Sequence, residues 1–269
     1  IRSLIELASF DTMNTQPEAL GLHMKAVPRE GADAVPMSDA ERQARLRLAA
    51  CYRIFNHLGW TEMIFNHITL RVPGPDKVFL INPFGLHYSE VTASNLVAID
   101  IDGRPVRPTP HAVNLAGFVA HSAIHASIDH AHCVMHTHTT SGCAVASLES
   151  GLSHDSFYGA QLHGNVAYHD FEGITVNADE RLRMVASIGL KRAVILRNHG
   201  LLSWGGTVEE AFMWLWTLQR ACDIQVTATA AGPMRSLQPA VFAQTTREAG
   251  PSIPAVCQAV FDALVRQVD

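Results

Sequence analysis

The sequence has little positive charge and no long apolar run, and both absences exclude classes of function. Its 269 residues include 20 lysines and arginines against 25 aspartates and glutamates, so the net charge is −5. A nucleic-acid-binding domain normally presents a basic surface, and we therefore expect no nucleic-acid partner. A membrane helix needs about 18 uncharged apolar residues in a row. The sequence contains no such run, and we expect no membrane partner.

Cysteine is also sparse, and its spacing indicates no metal or redox motif. Five cysteines are scattered at positions 51, 133, 143, 222 and 257, and no Cys-x-x-Cys pair is present. An odd number of scattered cysteines argues against a disulfide framework and is typical of reduced thiols in a cytosolic protein. We therefore expect a cytoplasmic location.

Histidine, in contrast, is abundant, with 15 copies that concentrate in the middle of the chain. If the segment VMHTHT at 134–139 is a strand, His136 and His138 lie on the same face. Two buried imidazoles are costly unless they share a partner, and a divalent cation is one such partner. His199 follows an apolar run and could be a third ligand, with Gly200 allowing a tight turn beside it. Three protein ligands leave a coordination position open, as in catalytic sites.

On the residues alone, ordinary hydrogen-bonded core histidines remain an equally good interpretation of this pattern. Single histidines often occupy protein cores without any metal, and a lone His-x-His pair is weak evidence for a metal site.

Periodicity predicts helices interspersed with strands. Capping boxes at 38–41 and 207–210 predict one helix up to Gly59 and a long helix to about Ala230. Further helices are predicted at 113–128, 140–148, 179–187 and 255–268, and strands at 68–72, 78–81, 96–101, 133–138, 165–167, 193–196 and 201–204. This mixture indicates a layered α/β domain.

The pattern also divides the chain into three segments. We expect residues 1–37 to form an N-terminal arm and residues 38–233 to form the main domain. The long helix ends at Gly232-Pro233, and we expect residues 234–269 to form a C-terminal linker and helix.

Several motifs together resemble one known family. They are FNHITLR at 65–71, INPFG at 81–85, YSEVTAS at 88–94, HSAIH at 121–125, HTH at 136–138 and ILRNHG at 195–200. Over roughly residues 38 to 232 the chain resembles the class II aldolase/adducin family. Its motifs are most similar to those of adducin head domains and their bacterial relatives. The resemblance implies a three-layer α/β/α sandwich around a central, mainly antiparallel sheet. It also implies a homotetramer with sites at subunit interfaces.

The resemblance implies functional residues as well. In the family's enzymes the His-x-His pair and the distant histidine bind zinc or a similar cation, which assigns His136, His138 and His199 as metal ligands. Zinc is the expected ion, with iron, manganese and cobalt as alternatives. A further set matches the family's ligand-facing loops and is expected to bind substrate: Asn66, Asn82 and Gly85. Three other histidines could line the pocket or be ordinary polar residues: His67, His163 and His169.

The sequence departs from the sugar-phosphate aldolases beside this metal site. Those enzymes carry a Ser-Ser-Glu segment four residues ahead of a histidine. Matched on His125, the acid falls at His121 and the two phosphate-binding serines fall at Val119 and Ala120. Apolar side chains cannot compensate a phosphate dianion, so we expect a substrate without phosphate. His121 is the candidate catalytic base, or else a core histidine, and His125 lies one helical turn away on the same face.

These observations predict a metal-dependent lyase, an aldolase or decarboxylase, that acts on a small non-phosphorylated oxo- or hydroxy-acid. Both reactions proceed through an enolate that a Lewis acid stabilises. One alternative is a non-heme Fe(II) oxygenase on a similar acid, because three histidines can also hold Fe(II). The other is a non-catalytic, adducin-like interaction domain, because eukaryotic adducin heads are cytoskeletal and are thought to lack catalysis.

Overall fold

The computed structural model describes residues 37–173, 179–249 and 253–268. The predicted N-terminal arm, residues 1–37, lies outside these ranges except for Met37. It stays a prediction.

A seven-stranded sheet forms the middle of the molecule. Its strands are β1 Ile68–Arg71, β2 Phe79–Ile81, β3 Val97–Ile99, β4 Cys133–Thr137, β5 Val166–His169, β6 Ala193–Leu196 and β7 Gly200–Gly205. Their order across the sheet is β3-β2-β1-β4-β7-β6-β5. Neighbouring strands are antiparallel except β5 and β6, which are parallel. The prediction of a mainly antiparallel sheet is confirmed, and the single parallel pair makes the sheet a mixed one.

Eight α-helices are described around this sheet. They are α1 Asp39–His57, α2 Leu115–Ser127, α3 Thr140–Ala146, α4 Phe157–Gln161, α5 Glu180–Ile188, α6 Val208–Ala231, α7 Pro239–Glu248 and α8 Pro254–Val268, with a 3₁₀ turn at Tyr88–Glu90. Only half of each predicted capping box forms at the starts of α1 and α6. The side chains of Ser38 and Thr207 accept from the backbone N–H groups of Glu41 and Glu210. The two glutamate side chains do not bond back to the cap residues, because Glu41 accepts from Arg45 and Glu210 accepts from the N–H of Gly206. None of the described helices is both long and apolar enough to cross a bilayer.

The helices cover both faces of the sheet, as the alternation along β4 shows. Cys133 and Met135 belong to the core formed with α1, α3, α6 and α8, whereas Val134 belongs to the core formed with α2 and α5. Successive side chains of a strand point to opposite faces. The predicted α/β/α sandwich is therefore confirmed, and His136 lies on the face covered by α2 and α5.

The C-terminal segment that we expected to be a linker, residues 234–253, includes helix α7. None of the residues of α7 is buried, and its N-cap residue Gln238 makes no side-chain capping bond, so the segment lacks the capping signal that predicted α1 and α6. The ring of Phe242 stacks on His163 with 4.8 Å between ring centroids. The boundary of the main domain at residue 233 stays a prediction.

A buried ion-pair cluster fixes the start of α1. The Glu41 carboxylate is 2% exposed and accepts from Arg45 Nε at 2.8 Å and from Arg107 at 2.5 Å. Arg45 also donates to the carbonyls of Ala93 and Leu96. Burial raises the pKa of Glu41, but the hydrogen bonds from the two guanidinium groups outweigh it and hold that pKa below the ordinary 4.5. The charge is therefore present at neutral pH and joins α1 to the loops beside the sheet.

We expect Glu41→Gln to lower the free energy of unfolding by about 3 kcal/mol at pH 7, because it removes the buried negative charge that pairs with the buried guanidinium group of Arg45. Urea denaturation monitored by circular dichroism measures this. A carboxyl with a lowered folded-state pKa stabilises only while ionised. The difference between wild type and variant is therefore full above pH 4.5 and shrinks as the pH falls through the lowered pKa.

The matched control is Asp39→Asn, which removes a carboxylate paired with Arg42 on the exposed side of the same helix. Exposed pairs contribute little, so this variant should unfold nearly as wild type does. Equal losses in the two variants, or a Glu41→Gln effect that is the same at pH 4 and pH 7, would contradict the role assigned to the cluster.

Candidate active site

The three predicted metal ligands meet at one end of β4 and β7. His136 lies in β4, His138 follows directly after it, and His199 lies in the short hairpin between β6 and β7. β4 and β7 are antiparallel neighbours in which His136 pairs with Leu202. One ring nitrogen from each histidine lies within 4.8 Å of the other two. The strand alternation thus places the His-x-His pair on one face, and the neighbouring hairpin supplies the third ring.

The β6–β7 hairpin is shaped to present His199. Asn198 adopts a left-handed conformation with φ of 56°, which asparagine tolerates better than most residues. Its N–H donates to the carbonyl of Ala146 at 3.0 Å, and the N–H of His199 donates to the carbonyl of Leu196 at 3.0 Å. These bonds close the loop at the edge of the α3 helix and leave the His199 ring beside the other two.

Gly200 serves the site differently from our expectation of a tight turn. Its φ lies outside the left-handed region, so the turn does not require glycine. A Cβ atom at this position would collide with the carbonyl oxygen of Thr137 and would lie 3.0 Å from the His138 ring and 3.2 Å from the His136 ring. Glycine is needed here because β7 approaches β4 closely beside the histidines.

The protonation of the triad suits metal binding. The His136 Nδ1–H donates to the carbonyl of Leu201 at 2.8 Å, which leaves Nε2 as the free lone pair. Burial lowers the pKa of His136 well below 6.5, and the rings of His199 and His138 lower it further. Burial, with the nearby His138, also lowers the pKa of His199 to about 4. Metal ligation requires neutral imidazole, and these rings are neutral at physiological pH.

The close approach of two ring nitrogens bears on whether the triad fits a cation. His136 Nε2 and His138 Nε2 lie 2.7 Å apart. Two lone pairs at this distance repel each other unless a proton or a cation lies between them. The donor set, three neutral imidazoles with one nitrogen of each converging, matches the ligands that zinc and similar ions prefer.

A cavity of about 760 Å³ opens in front of the triad. Its wall contains three carboxylates, those of Glu62, Asp170 and Glu180, and one guanidinium, that of Arg197. Arg197 is already engaged, because it donates to the carbonyl of Leu148 at 3.3 Å and its charge lies 4.6 Å from the ring centroid of Tyr168. In the described part of the chain, the protein wall of this cavity is thus more negative than positive.

The predicted catalytic residue, His121, also lines this cavity. It is 1% exposed, and its Nδ1 lies 2.8 Å from the hydroxyl of Thr69. The same hydroxyl lies 2.7 Å from Nε2 of His125, so both α2 histidines converge on one β1 side chain. Burial lowers the pKa of His121 well below 6.5, and the neighbouring rings of His67 and His125 lower it further. His121 is therefore a neutral imidazole beside the triad.

The structure brings only part of the predicted substrate-binding set to the cavity. Asn66 lines it, 7% exposed and in a left-handed conformation with φ of 63°. Asn82 and Gly85 are not among the lining residues, and the side chain of Asn82 is bonded to the hydroxyl of Tyr52 at 2.9 Å. Their role in binding substrate stays a prediction. Of the three further histidines considered, His67 and His169 line the cavity and His163 does not.

The profile of the family described as Class II Aldolase and Adducin N-terminal domain matches residues 46–226, well over half of the chain. The chain belongs to the class II aldolase and adducin family. The family predicted from the motifs is thereby confirmed.

The named relatives of this family member include both aldolase-type proteins and adducins. A Caulobacter vibrioides protein, whose name as an aldolase class 2 protein is provisional, is 46% identical over 196 residues, 73% of this chain and 76% of that protein. Alpha-adducin of Rattus norvegicus is 40% identical over 269 residues, which cover 93% of this chain but only 36% of alpha-adducin. The solved L-fuculose 1-phosphate aldolase of Glaciozyma antarctica PI12 is 28% identical with a TM-score of 0.75, over 87% of this chain and 94% of that one.

Sequence reasoning missed two polar residues at the site. Glu180 is buried in the cavity wall, and its Oε1 lies 3.4 Å from Nε2 of His169. Thr69 lies behind His121, and the period of two along β1 places it on the same face as His67, which could have identified it. Glu180 begins helix α5 11 residues after His169, a separation that predicts no contact by itself, so only the fold reveals it.

We expect Gly200→Ala to destabilise the protein by roughly 2 to 3 kcal/mol, because the added methyl group forces β7 away from the β4 backbone. Chemical denaturation measures the loss. Gly206→Ala is the matched control just past the end of β7, where the nearest atom to a new Cβ is the flexible Glu210 carboxylate at 3.3 Å. If both variants unfold at the same denaturant concentration, the close approach at Gly200 is not a constraint.

Proposed function

We propose that this chain is a metal-dependent carbon–carbon lyase, an aldolase or decarboxylase, that acts on a small non-phosphorylated oxo- or hydroxy-acid. The observation that carries the proposal is the convergence of three neutral histidines at the wall of a substrate-sized cavity. His136, His138 and His199 would hold the divalent cation, with zinc the first candidate and iron, manganese or cobalt as alternatives. Membership of a family of divalent-metal aldolases supports the assignment. Assembly as a homotetramer stays a prediction.

A bound cation supplies Lewis-acid stabilisation of the negative charge that develops on a substrate oxygen as a carbon–carbon bond breaks. The chain's own residues supply binding and proton transfer. His121 is neutral at physiological pH and lines the cavity, so it serves as a proton acceptor where the sugar-phosphate aldolases carry a carboxylate. Asn66 and His67 line the same cavity and bind polar groups of the substrate.

The charge of the cavity wall supports a substrate without phosphate. Three carboxylates and one already bonded arginine line it, and Ala120 lines it at one of the two positions where sugar-phosphate aldolases carry serine. Burying a phosphate dianion without donors is very costly. A small carboxylic acid carries less charge and places a smaller demand on this wall.

A second candidate function rests on the similarity to alpha-adducin, which covers 93% of this chain. An adducin-like interaction domain would assemble with partners and catalyse nothing. It requires no metal and no neutral base beside it, so metal content and turnover separate the two candidates.

Metal content is the first test. We expect His136→Ala to reduce zinc bound per chain at least tenfold, because the two remaining histidines form a poorer site. Inductively coupled plasma mass spectrometry of zinc-loaded, gel-filtered protein measures the ratio. The control is His130→Ala, which removes an exposed histidine outside the triad and should bind zinc as wild type does. Full zinc occupancy in His136→Ala would remove the basis of the proposal.

Turnover is the second test. We expect zinc-loaded protein to cleave a member of a panel of 4-hydroxy-2-oxo acids, or to release carbon dioxide from a 2-oxo acid, under nitrogen as well as in air. L-Fuculose 1-phosphate should not be cleaved. His121→Asn keeps a donor toward Thr69 but removes the base, and should lower kcat by about 10²-fold or more. His130→Ala again serves as the control.

Activity only in the presence of oxygen would indicate an oxygenase instead. No turnover of any panel member by zinc-, manganese-, cobalt- and iron-loaded protein would favour the adducin-like interaction domain. Unchanged kcat in His121→Asn would remove His121 from the reaction while leaving the metal assignment standing.

A further inference from the structure

Three buried polar atoms of the cavity wall have no protein partner. They are Oδ1 of Asn66, Nε2 of His67 and Nε2 of His121, and their residues are 7%, 3% and 1% exposed. A buried polar atom left without a hydrogen bond destabilises the folded protein. Three such atoms at one cavity indicate that a ligand group or an ordered water completes their hydrogen bonds.

The hydrogen bonds behind His121 determine which of its nitrogens carries the proton. The Ala131 carbonyl can only accept, so His125 Nδ1, at 2.6 Å from it, is the donor. Burial lowers the pKa of His125 to about 4, so the ring is neutral and its Nε2 is an acceptor. That acceptor takes the single hydroxyl hydrogen of Thr69 at 2.7 Å.

With its hydrogen donated to His125, the Thr69 oxygen can only accept in its 2.8 Å contact with His121. His121 Nδ1 is therefore protonated. Because burial also keeps this ring neutral, its second nitrogen, Nε2, carries a lone pair. The orientation of this lone pair is thus set by a chain of three hydrogen bonds that ends on a backbone carbonyl.

The ring of His67 lies against His121 with 4.0 Å between the ring centroids. Burial lowers the pKa of His67 to about 4, so this ring is neutral as well. Its Nε2 has no protein partner and lies in the same cavity wall as Nε2 of His121.

We propose that Thr69 holds His121 in its Nδ1-protonated tautomer, and that the free Nε2 of His121, with the His67 ring beside it, forms a subsite that accepts a hydrogen bond from a substrate hydroxyl group. A nitrogen lone pair cannot bond to a carboxylate or phosphate oxygen, but it accepts from an O–H donor. Thr69 is a positioning residue, since it acts through His121. That the hydroxyl belongs to a substrate rests on the lyase function proposed above.

The subsite favours aldol cleavage over decarboxylation. In aldol cleavage the substrate's hydroxyl proton passes to His121 Nε2, the O–H electron pair forms the new carbonyl, and the carbon–carbon pair stays with the enolate fragment. The proton now on His121 Nε2 then passes to the enolate carbon, which restores the keto form of that fragment and returns His121 to its neutral form. Decarboxylation of an oxo-acid removes no hydroxyl proton and so makes no use of a lone-pair acceptor at this position.

The tautomer is tested by solid-state NMR of protein labelled with [15N]histidine. The 15N chemical shift of a ring nitrogen differs widely between its protonated and unprotonated forms. The His121 signals are assigned by their loss in His121→Asn. We expect wild-type His121 to carry its proton on Nδ1. Thr69→Val keeps the side-chain shape but removes the hydroxyl, and should shift the proton population toward Nε2.

Thr69→Ser is the matched control, because it keeps the hydroxyl and should retain the wild-type tautomer. A wild-type His121 protonated on Nε2, or an unchanged His121 spectrum in Thr69→Val, would overturn the positioning role. The measurement is made on protein with and without zinc, so its result does not depend on whether the metal site or the lyase activity exists.

The subsite itself is tested with two acids that differ by one hydroxyl group, glycerate and lactate. Both present a carboxylate and a 2-hydroxyl, but only glycerate has a further O–H for this subsite. We expect zinc-loaded wild type to bind glycerate about tenfold more tightly in calorimetric titrations. In His67→Phe, which keeps an aromatic ring without a nitrogen, the preference should fall to within about twofold.

Equal affinity of wild type for the two acids would show that water alone completes these hydrogen bonds, and would overturn the hydroxyl subsite. A wild type that does not bind zinc would instead contradict the proposed function. The NMR measurement of the tautomer depends on neither result, so failure of the hydroxyl subsite, of the proposed function and of the positioning role of Thr69 can be distinguished.

Discussion

The antiparallel pairing of β4 with β7 is the interaction on which the candidate site depends. It places the end of the strand that carries His136 against the beginning of the strand that follows His199. Gly200 permits this approach because a side chain there would meet the backbone of β4. The hydrogen bond from His136 to the carbonyl of Leu201 crosses the same pair of strands and orients the ring. One strand pairing therefore determines both where the histidines meet and which nitrogens they present.

Burial gives the site histidines their second common property. Five rings near the cavity have lowered pKa values because the protein removes them from water: His67, His121, His136, His138 and His199. A neutral imidazole is both a metal ligand and a hydrogen-bond acceptor. The same desolvation thus prepares the triad for a cation and prepares His121 for a proton. A carboxylate at the position of His121 would have added negative charge to a wall that already carries three acids.

The polar contacts behind the site explain how a histidine can replace a carboxylate there. A carboxylate accepts through either oxygen, whereas a neutral imidazole accepts through only one nitrogen. Replacing one by the other requires a device that selects the tautomer, and Thr69 with His125 is in the position to do so. The substitution at residue 121 is therefore understandable only together with a strand residue 52 positions earlier in the chain.

The sequence by itself determined the elements with strong periods and the residues whose spacing carries chemistry. Alternation along 133–138 predicted the shared face of His136 and His138, and capping residues predicted the starts of α1 and α6. It did not show α7, because that helix begins without a side-chain cap and buries none of its residues. It also did not show Glu180 at the cavity, the separation of Asn82 from it, or the tautomer of His121. These depend on contacts between residues distant in sequence, and only packing of the two helix layers against the sheet decides them.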